Sequence, residues 1–162
     1  MVAVEAGEDW GPHLAQTAVA LTPAVCYPLY PTLAGTLGRD EVVFSLSSYV
    51  FRHEPSQDPA RLQAFRMREN VCLGSADAVR SWRQAWMDRA QGLLAAHPTA
   101  IASFNYHQDK FGVAFGIRQR NGEVAHSACI GFGLERCALA ILRTHGLDRA
   151  RWPAIVRRQL EA

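Results

Sequence analysis

The sequence predicts an α+β fold, an antiparallel β-sheet with flanking helices. Three observations predict it. Residues 42–52 (VVFSLSSYVFR) and 64–73 (AFRMRENVCL) are rich in β-branched and aromatic residues, with a proline-punctuated loop, EPSQDPAR at 54–61, between them. They read as two strands of one hairpin. Residues 76–96 carry Val79, Trp82, Trp86, Leu93 and Leu94 at helical spacing, which predicts a long amphipathic helix. Residues 111–118 and 124–130 flank the turn dipeptide Asn121-Gly122 and predict a second hairpin.

The remaining elements follow in chain order. Residues 1–12 read as a loose leader and 13–20 as a short helix. The stretch 21–31, LTPAVCYPLYP, holds three prolines and reads as extended, with Cys26 in its middle. Gly74 ends the first hairpin, and 100–106 is a further strand. Gly131-Phe132-Gly133 is expected to break the strand that begins at Val124. A helix is expected over 134–144, with Gly146 as its stop signal, and a last short helix after Trp152-Pro153. The order of the strands in the sheet is not set by these patterns.

Composition narrows the function classes. The 162 residues suit one domain, with 49% hydrophobic and 20% charged residues, an ordinary globular balance. No apolar run approaches the ~18 residues of a membrane helix. Residues 1–10 carry Glu5, Glu8 and Asp9 and no basic residue, so they do not read as a signal peptide, and a cytoplasmic location is expected. Net charge is +2, from arginines spread along the chain and one lysine, Lys110. The densest basic stretch, 61–68, is interleaved with Phe65 and Met67, which reads as a strand lining a site and not as a nucleic-acid patch. Cys26, Cys72, Cys129 and Cys137 form no C-x-x-C pair, and a reducing compartment leaves them as thiols. By themselves they read as small buried hydrophobes.

The first hairpin concentrates chemistry. Residues two apart on a strand share a face, so Arg52 and Glu54 project together, as do Phe65, Met67 and Glu69, and the loop returns Arg61 toward Phe65. Guanidinium groups suit phosphate oxygens, an aromatic face suits a base, and a carboxylate suits an ammonium. Residue types alone fit a surface hairpin with salt bridges among Arg52, Glu54, Arg66, Arg68 and Glu69 more readily. His53, His107 and His126 lie near these segments and read as hydrogen-bonded structural residues.

A resemblance favours the site. FRHE at 51–54 followed by RLQAFRMRE at 61–69 resembles motif 2 of class II aminoacyl-tRNA synthetases, and GFGLER at 131–136 resembles motif 3. LTPAVCYPLYP and SFNYHQD at 103–109 are similar to further core segments of the seryl branch. The wording FRHEPSQDPARLQAFRMRE, SFNYHQDKFG and HSACIGFGLER resembles the amino acid:[carrier protein] ligases, relatives of the zinc-dependent seryl-tRNA synthetases, and the resemblance runs from about Leu21 to Leu160. It implies a reduced class II catalytic domain over 21–162, following the leader and short helix of 1–20, and ATP-dependent adenylation of glycine or alanine. The amino acid then passes to the phosphopantetheine thiol of a carrier protein, not to tRNA.

The same resemblance implies roles by position. Arg52 would hold the α-phosphate, Phe65 would stack on adenine, Arg61 would meet the distal phosphates and Arg136 the γ-phosphate. Arg52 and Arg136 would carry the catalysis. Glu69 would face the substrate amino group. Cys26, Glu54 and Cys129 would bind zinc, with an open position for that amino group. Cys72 and Cys137 remain packing residues.

The chain departs from the family pattern in three places. Nothing before Leu21 resembles motif 1, which leaves a homo- or hetero-oligomer open. The segment after Ala96 is short, with Thr99 where seryl enzymes carry a magnesium-binding glutamate and Asp109 as the next acid. No tRNA-binding extension is recognisable. The alternative reading is a reduced homologue that binds amino acid through zinc but needs a partner to adenylate it, or a non-catalytic binding module.

Overall fold

The computed structural model describes residues 9, 11–13, 15–16, 18–53, 56–94 and 100–161. Its centre is a four-stranded antiparallel sheet of β2 (Glu41–Phe51), β3 (Ala64–Gly74), β6 (His126–Gly133) and β4 (Ala102–Gln108), in the order β2-β3-β6-β4. A short β1 (Gly35–Thr36) pairs in parallel with β5 (Ile117–Arg118) beside it. The helices are α1 (Ala76–Leu94), α2 (Lys110–Phe115), α3 (Leu134–His145) and α4 (Ala154–Glu161). The α+β expectation with an antiparallel sheet and flanking helices holds. Among the described residues no helix is long and apolar enough to cross a membrane.

Strand alternation gives the sheet two unlike faces. On one face, Cys72 and Ala128 pack under Val79 of α1, with Trp82 and Tyr106 alongside, and Trp86 meets Phe132 at 6.1 Å. Ser75 caps α1 by accepting the Ala78 N–H at 3.2 Å. On the opposite face, Val71, Leu73 and Cys129 join Cys26, Tyr30, Leu37, Ile117 and Ala125 in the main core. That second face carries the site.

Four expectations are corrected. The stretch 21–31 is not extended. It runs through bends and turns into a 3-10 helix at Tyr30–Leu33, with Leu29 N–H bonded to Cys26 C=O at 3.0 Å. The proline rings that disfavour the α-helix also remove ladder donors and fix φ near the turn value, so they suit a turn as well as an extended run. The expected strand at 111–118 is α2 followed by the two residues of β5. Phe111 and Phe115 stand four apart and both stack on Tyr30, with centroids 3.9 and 6.4 Å away, which is helical spacing disguised as an apolar run. Gly116 at φ 64° ends that helix.

The glycines at 131 and 133 do not break β6, which runs through Gly133. They make room instead, since a Cβ on Gly131 would lie 3.3 Å from a Glu69 carboxylate oxygen. The helix expected over 13–20 is a 3-10 turn at Gly11–His13, with no helical turn among the described residues of 15–20. Helices at 134–145 and 154–161 match expectation, and Gly146 closes α3 by donating to Leu142 C=O at 2.8 Å.

Candidate active site

β3 and β6 place Glu69 opposite Gly131 and Val71 opposite Cys129. β4 adds Ser103 opposite Gly131 and Asn105 opposite Cys129. One sheet face thus presents Glu69, Cys129, Ser103 and Asn105 in adjacent positions. The turn at 23–29 drops Cys26 onto them, and its N–H donates to Glu69 Oε2 at 2.6 Å. The ligand atoms of Cys26, Glu69 and Cys129 all lie within 4.8 Å of one another, and all three residues are buried. They stand in a cavity of about 740 Å³ that Arg52, Tyr27, Ser103, Asn105, His107 and Phe111 also line.

The electrostatics of this cluster are unusual for a core. Glu69 is 3% exposed, and among the described residues no lysine or arginine pairs with it. Burial raises its pKa above the carboxylate range, against the lowering effect of the Cys26 hydrogen bond. The Cys129 thiol is held well below the ordinary range, first by the hydrogen bond from the Cys26 thiol and then by His107 and Asn105. Cys26 is correspondingly raised, through that same bond and through burial. Two sulfurs and a carboxylate crowded together without a cation cost free energy, because buried charge needs a partner. The same donor set, soft thiolates with one hard oxygen, is what a zinc ion takes.

Asn105 Nδ2 and His107 Nε2 each lie 3.5 Å from Cys129 Sγ. His107 Nδ1 is 3.1 Å from Ser127 Oγ and 3.4 Å from the Tyr30 hydroxyl. These contacts surround the thiol cluster on the β4 side. The sequence marks His107 as a hydrogen-bonded residue, as it is here, while Asn105 carries no motif of its own. The polar alternation Ser103, Asn105, His107 in a strand was the available signal.

A second group of residues adjoins the cavity. The Arg52 guanidinium lies 5.3 Å from the Phe65 ring centroid, and its Nε donates to Pro23 C=O at 3.2 Å. Arg136, in the first turn of α3, donates to the carbonyls of Ala60 at 2.7 Å and Ala100 at 3.1 Å. A Cβ on Gly133 would lie 3.9 Å from both Arg136 and Phe65, so the two side chains flank that glycine. Arg66 and Arg68 serve elsewhere, Arg66 on Glu135 at 2.9 Å and Arg68 on Ser45 at 3.1 Å. Arg61 sits in the exposed loop, 3.9 Å from Asp58, and does not line the cavity.

Among the described residues the three-donor cluster holds Cys26 and Cys129 of the expected metal set together with Glu69. Glu54 lies outside the described residues, as do His97 and Thr99 of the expected magnesium segment. The carboxylate beside the two thiols is that of Glu69, the residue assigned above to the substrate amino group. Glu69 shares the inner sheet face with Cys129.

No protein-family profile matches the chain. Two proteins of Bradyrhizobium diazoefficiens, amino acid–[acyl-carrier-protein] ligases 1 and 2, are 37% and 39% identical over 94% of this chain. The chain spans 61% and 59% of their lengths, about three fifths. Both alignments run over 198 positions against 162 residues here, so at least 36 aligned positions have no counterpart in this chain. The solved seryl-tRNA synthetase of Methanopyrus kandleri, in complex with a tRNA from A. aeolicus, superimposes with a TM-score of 0.72 at 17% identity. It covers 86% of this chain and 37% of that one. The chain is therefore a sequence relative of the amino acid–[acyl-carrier-protein] ligases, with the fold of a class II aminoacyl-tRNA synthetase catalytic domain.

Proposed function

We propose that this chain is an adenylate-forming ligase that activates a small amino acid such as glycine or alanine with ATP and passes it to the phosphopantetheine thiol of a carrier protein. The observation that carries the reading is the buried Cys26–Glu69–Cys129 cluster in a cavity that Arg52 also lines. These three residues fit zinc by donor type and spacing and would hold it with one position open. A bound zinc ion would supply a Lewis-acid anchor for the substrate amino group. Glu69 then meets the amino group through the metal and not directly.

The chain's own residues would do the rest. Phe65 offers the face for adenine, Arg52 the donors for the α-phosphate, and Arg136 those for the γ-phosphate of magnesium-bound ATP. A carboxylate oxygen of the amino acid attacks the α-phosphorus, and the bond to pyrophosphate breaks. No proton need be removed in this step. Arg52 answers the charge that builds on the α-phosphoryl oxygens, so catalysis rests on positioning and charge stabilisation. In the second step the pantetheine sulfur attacks the carbonyl carbon, its proton is lost to solvent, and AMP departs to leave a thioester.

A second reading is favoured by the 36 or more aligned positions absent here. In it the chain binds the amino acid but adenylates only with a partner subunit, as a homo- or hetero-oligomer, or serves as a binding module. A reducing cytoplasm suits the free thiols in either case. Net charge is only +2, with the arginines spread along the chain and no basic run, which supports a protein acceptor over tRNA. The test is amino-acid-dependent exchange of pyrophosphate into ATP by the zinc-loaded chain, followed by mass analysis of a holo carrier protein. Exchange and an aminoacyl mass gain are expected. No exchange by the isolated chain, with exchange restored by a partner, would favour the second reading.

A further inference from the structure

The strand register breaks at one place in the sheet. Tyr106 pairs with Ala128 and Gln108 with Ser127, which leaves His107 as the extra residue of a β-bulge in β4. Gln108, just after it, has φ 56°, the sole non-glycine residue with positive φ among those described. A bulge and a left-handed non-glycine residue each cost free energy and persist where surrounding contacts over-determine them. Here the contacts converge on the His107 ring. Phe111 meets it edge-on at 5.0 Å, and Tyr30, fully buried, meets it edge-on at 6.2 Å. One ring nitrogen, Nε2, reaches Cys129 Sγ at 3.5 Å, while Nδ1 reaches the buried Ser127 hydroxyl at 3.1 Å.

The partners assign the tautomer. A sulfur that ligates zinc is a thiolate and only accepts, so in the loaded centre Nε2, which faces it, must carry the proton, and Nδ1 then accepts from Ser127 or from the Tyr30 hydroxyl at 3.4 Å. We propose that His107, set by the β4 bulge and by Ser127, is a positioning residue for the metal centre: it donates to Cys129 and holds that sulfur as a ligand, without itself ligating. The inference rests on the zinc reading above. A donor to a ligand sulfur fixes its direction and removes the need to reorganise when metal binds, and such outer partners matter to affinity by about 10- to 100-fold. The imidazole is a metal ligand in other settings, so its hydrogen bond to Ser127 has a second effect. With Nε2 protonated toward the sulfur and Nδ1 accepting a hydroxyl proton, neither nitrogen has a free lone pair for the ion.

The experiment measures zinc affinity by competition with a chromophoric chelator, and ligand type by the absorption of the cobalt(II)-substituted chain. Wild type, His107→Ala, His107→Gln and Ser127→Ala are compared, each checked for fold by circular dichroism. His107→Ala should weaken zinc about 10- to 100-fold while keeping the thiolate-to-cobalt band. His107→Gln, which restores an N–H near the sulfur, should recover most of the loss, and Ser127→Ala should lie between. Equal affinity in wild type and His107→Ala would overturn the assignment and leave the zinc reading intact. A change of coordination number in the cobalt spectrum of His107→Ala would make His107 a ligand and also overturn it. A wild type that takes up no metal would sink both readings together. If His107→Ala fails to fold, Ser127→Ala and His107→Gln decide, because unchanged affinity in the first and no binding in the second contradict the proposal.

Discussion

The Cys26 backbone N–H and the Glu69 carboxylate, 43 residues apart in sequence, meet at 2.6 Å inside the protein. This bond ties the proline-rich turn to β3 and fixes the carboxylate beside both thiols. It turns a segment with no regular structure of its own into one wall of the site.

The first prediction follows from that cluster. Cys26→Ser, Glu69→Gln and Cys129→Ser should each lose the single zinc expected per chain. Cys72→Ser should retain it, because Cys72 faces Val79 and Ala128 on the other side of the sheet. Glu54→Gln should retain it as well. Metal analysis of the purified variants checks this, and a folded, active, metal-free wild type would refute it.

Gly131→Ala tests the same wall by size alone. The new Cβ would stand 3.1 Å from Ser103 Oγ and 3.3 Å from Glu69 Oε1. The serine hydroxyl can rotate away, but the glutamate is pinned by Cys26, so the carboxylate must shift by tenths of an ångström. Zinc affinity should fall about tenfold, on the order of 1.4 kcal/mol, with little loss of thermal stability. Chelator competition and a melting curve measured together separate this from general misfolding.

Gly112→Ala should do the reverse, harming stability more than the metal. Alanine is ordinarily the better helix former by about 1 kcal/mol. Here its Cβ would overlap the Ala125 carbonyl oxygen and lie 2.6 Å from a Val124 methyl, and backbone cannot step aside as a side chain can. Overpacking of this kind costs about 1–3 kcal/mol, a fall of several degrees in melting temperature for a chain of this size. A stabilised variant would show that α2 does not press on the 124–125 segment.

Much of the fold was legible because its signals were local. β2, β3, α1 and α3 carry periodicity and stop residues within their own length; the bounds of β2, β3 and α3 differ from expectation by a residue at most, and α1 starts at Ala76 as expected, its expected last residues 95–96 lying outside the described ones. α2 was misread because Phe111 and Phe115 are apolar at a spacing that serves either structure, and only Tyr30, 81 residues upstream of Phe111, selects the helix. Glu69 is recognised from the sequence as a site residue, but not as a neighbour of the two thiols. Its approach to Cys26 and Cys129 depends on strand order and on a turn, neither of which a pattern of residues encodes. His107 is legible as a hydrogen-bonded residue, and it is one, but the bulge that sets it beside Cys129 appears only when β4 and β6 are paired.

The last prediction concerns the nucleotide. Arg52 and Arg136 are differently engaged, and their variants should fail differently. Arg136 bonds two backbone carbonyls, Ala60 and Ala100, so Arg136→Ala should loosen the 58–61 loop as well as remove a phosphate donor. Arg52 has one backbone contact and lies over Phe65, so Arg52→Ala should leave the fold almost unchanged. A charge-assisted contact to phosphate contributes on the order of 1.5–3 kcal/mol, so either loss should weaken ATP by roughly ten- to a hundredfold. Only Arg136→Ala should also lower the melting temperature of the chain without nucleotide. Phe65→Ala should weaken adenine nucleotides while sparing inorganic pyrophosphate. Calorimetric titration of magnesium ATP into the zinc-loaded chain, with a small amino acid present, measures all three. If the wild type itself binds no ATP under those conditions, independent adenylation by this chain is excluded and the partner-dependent reading takes its place.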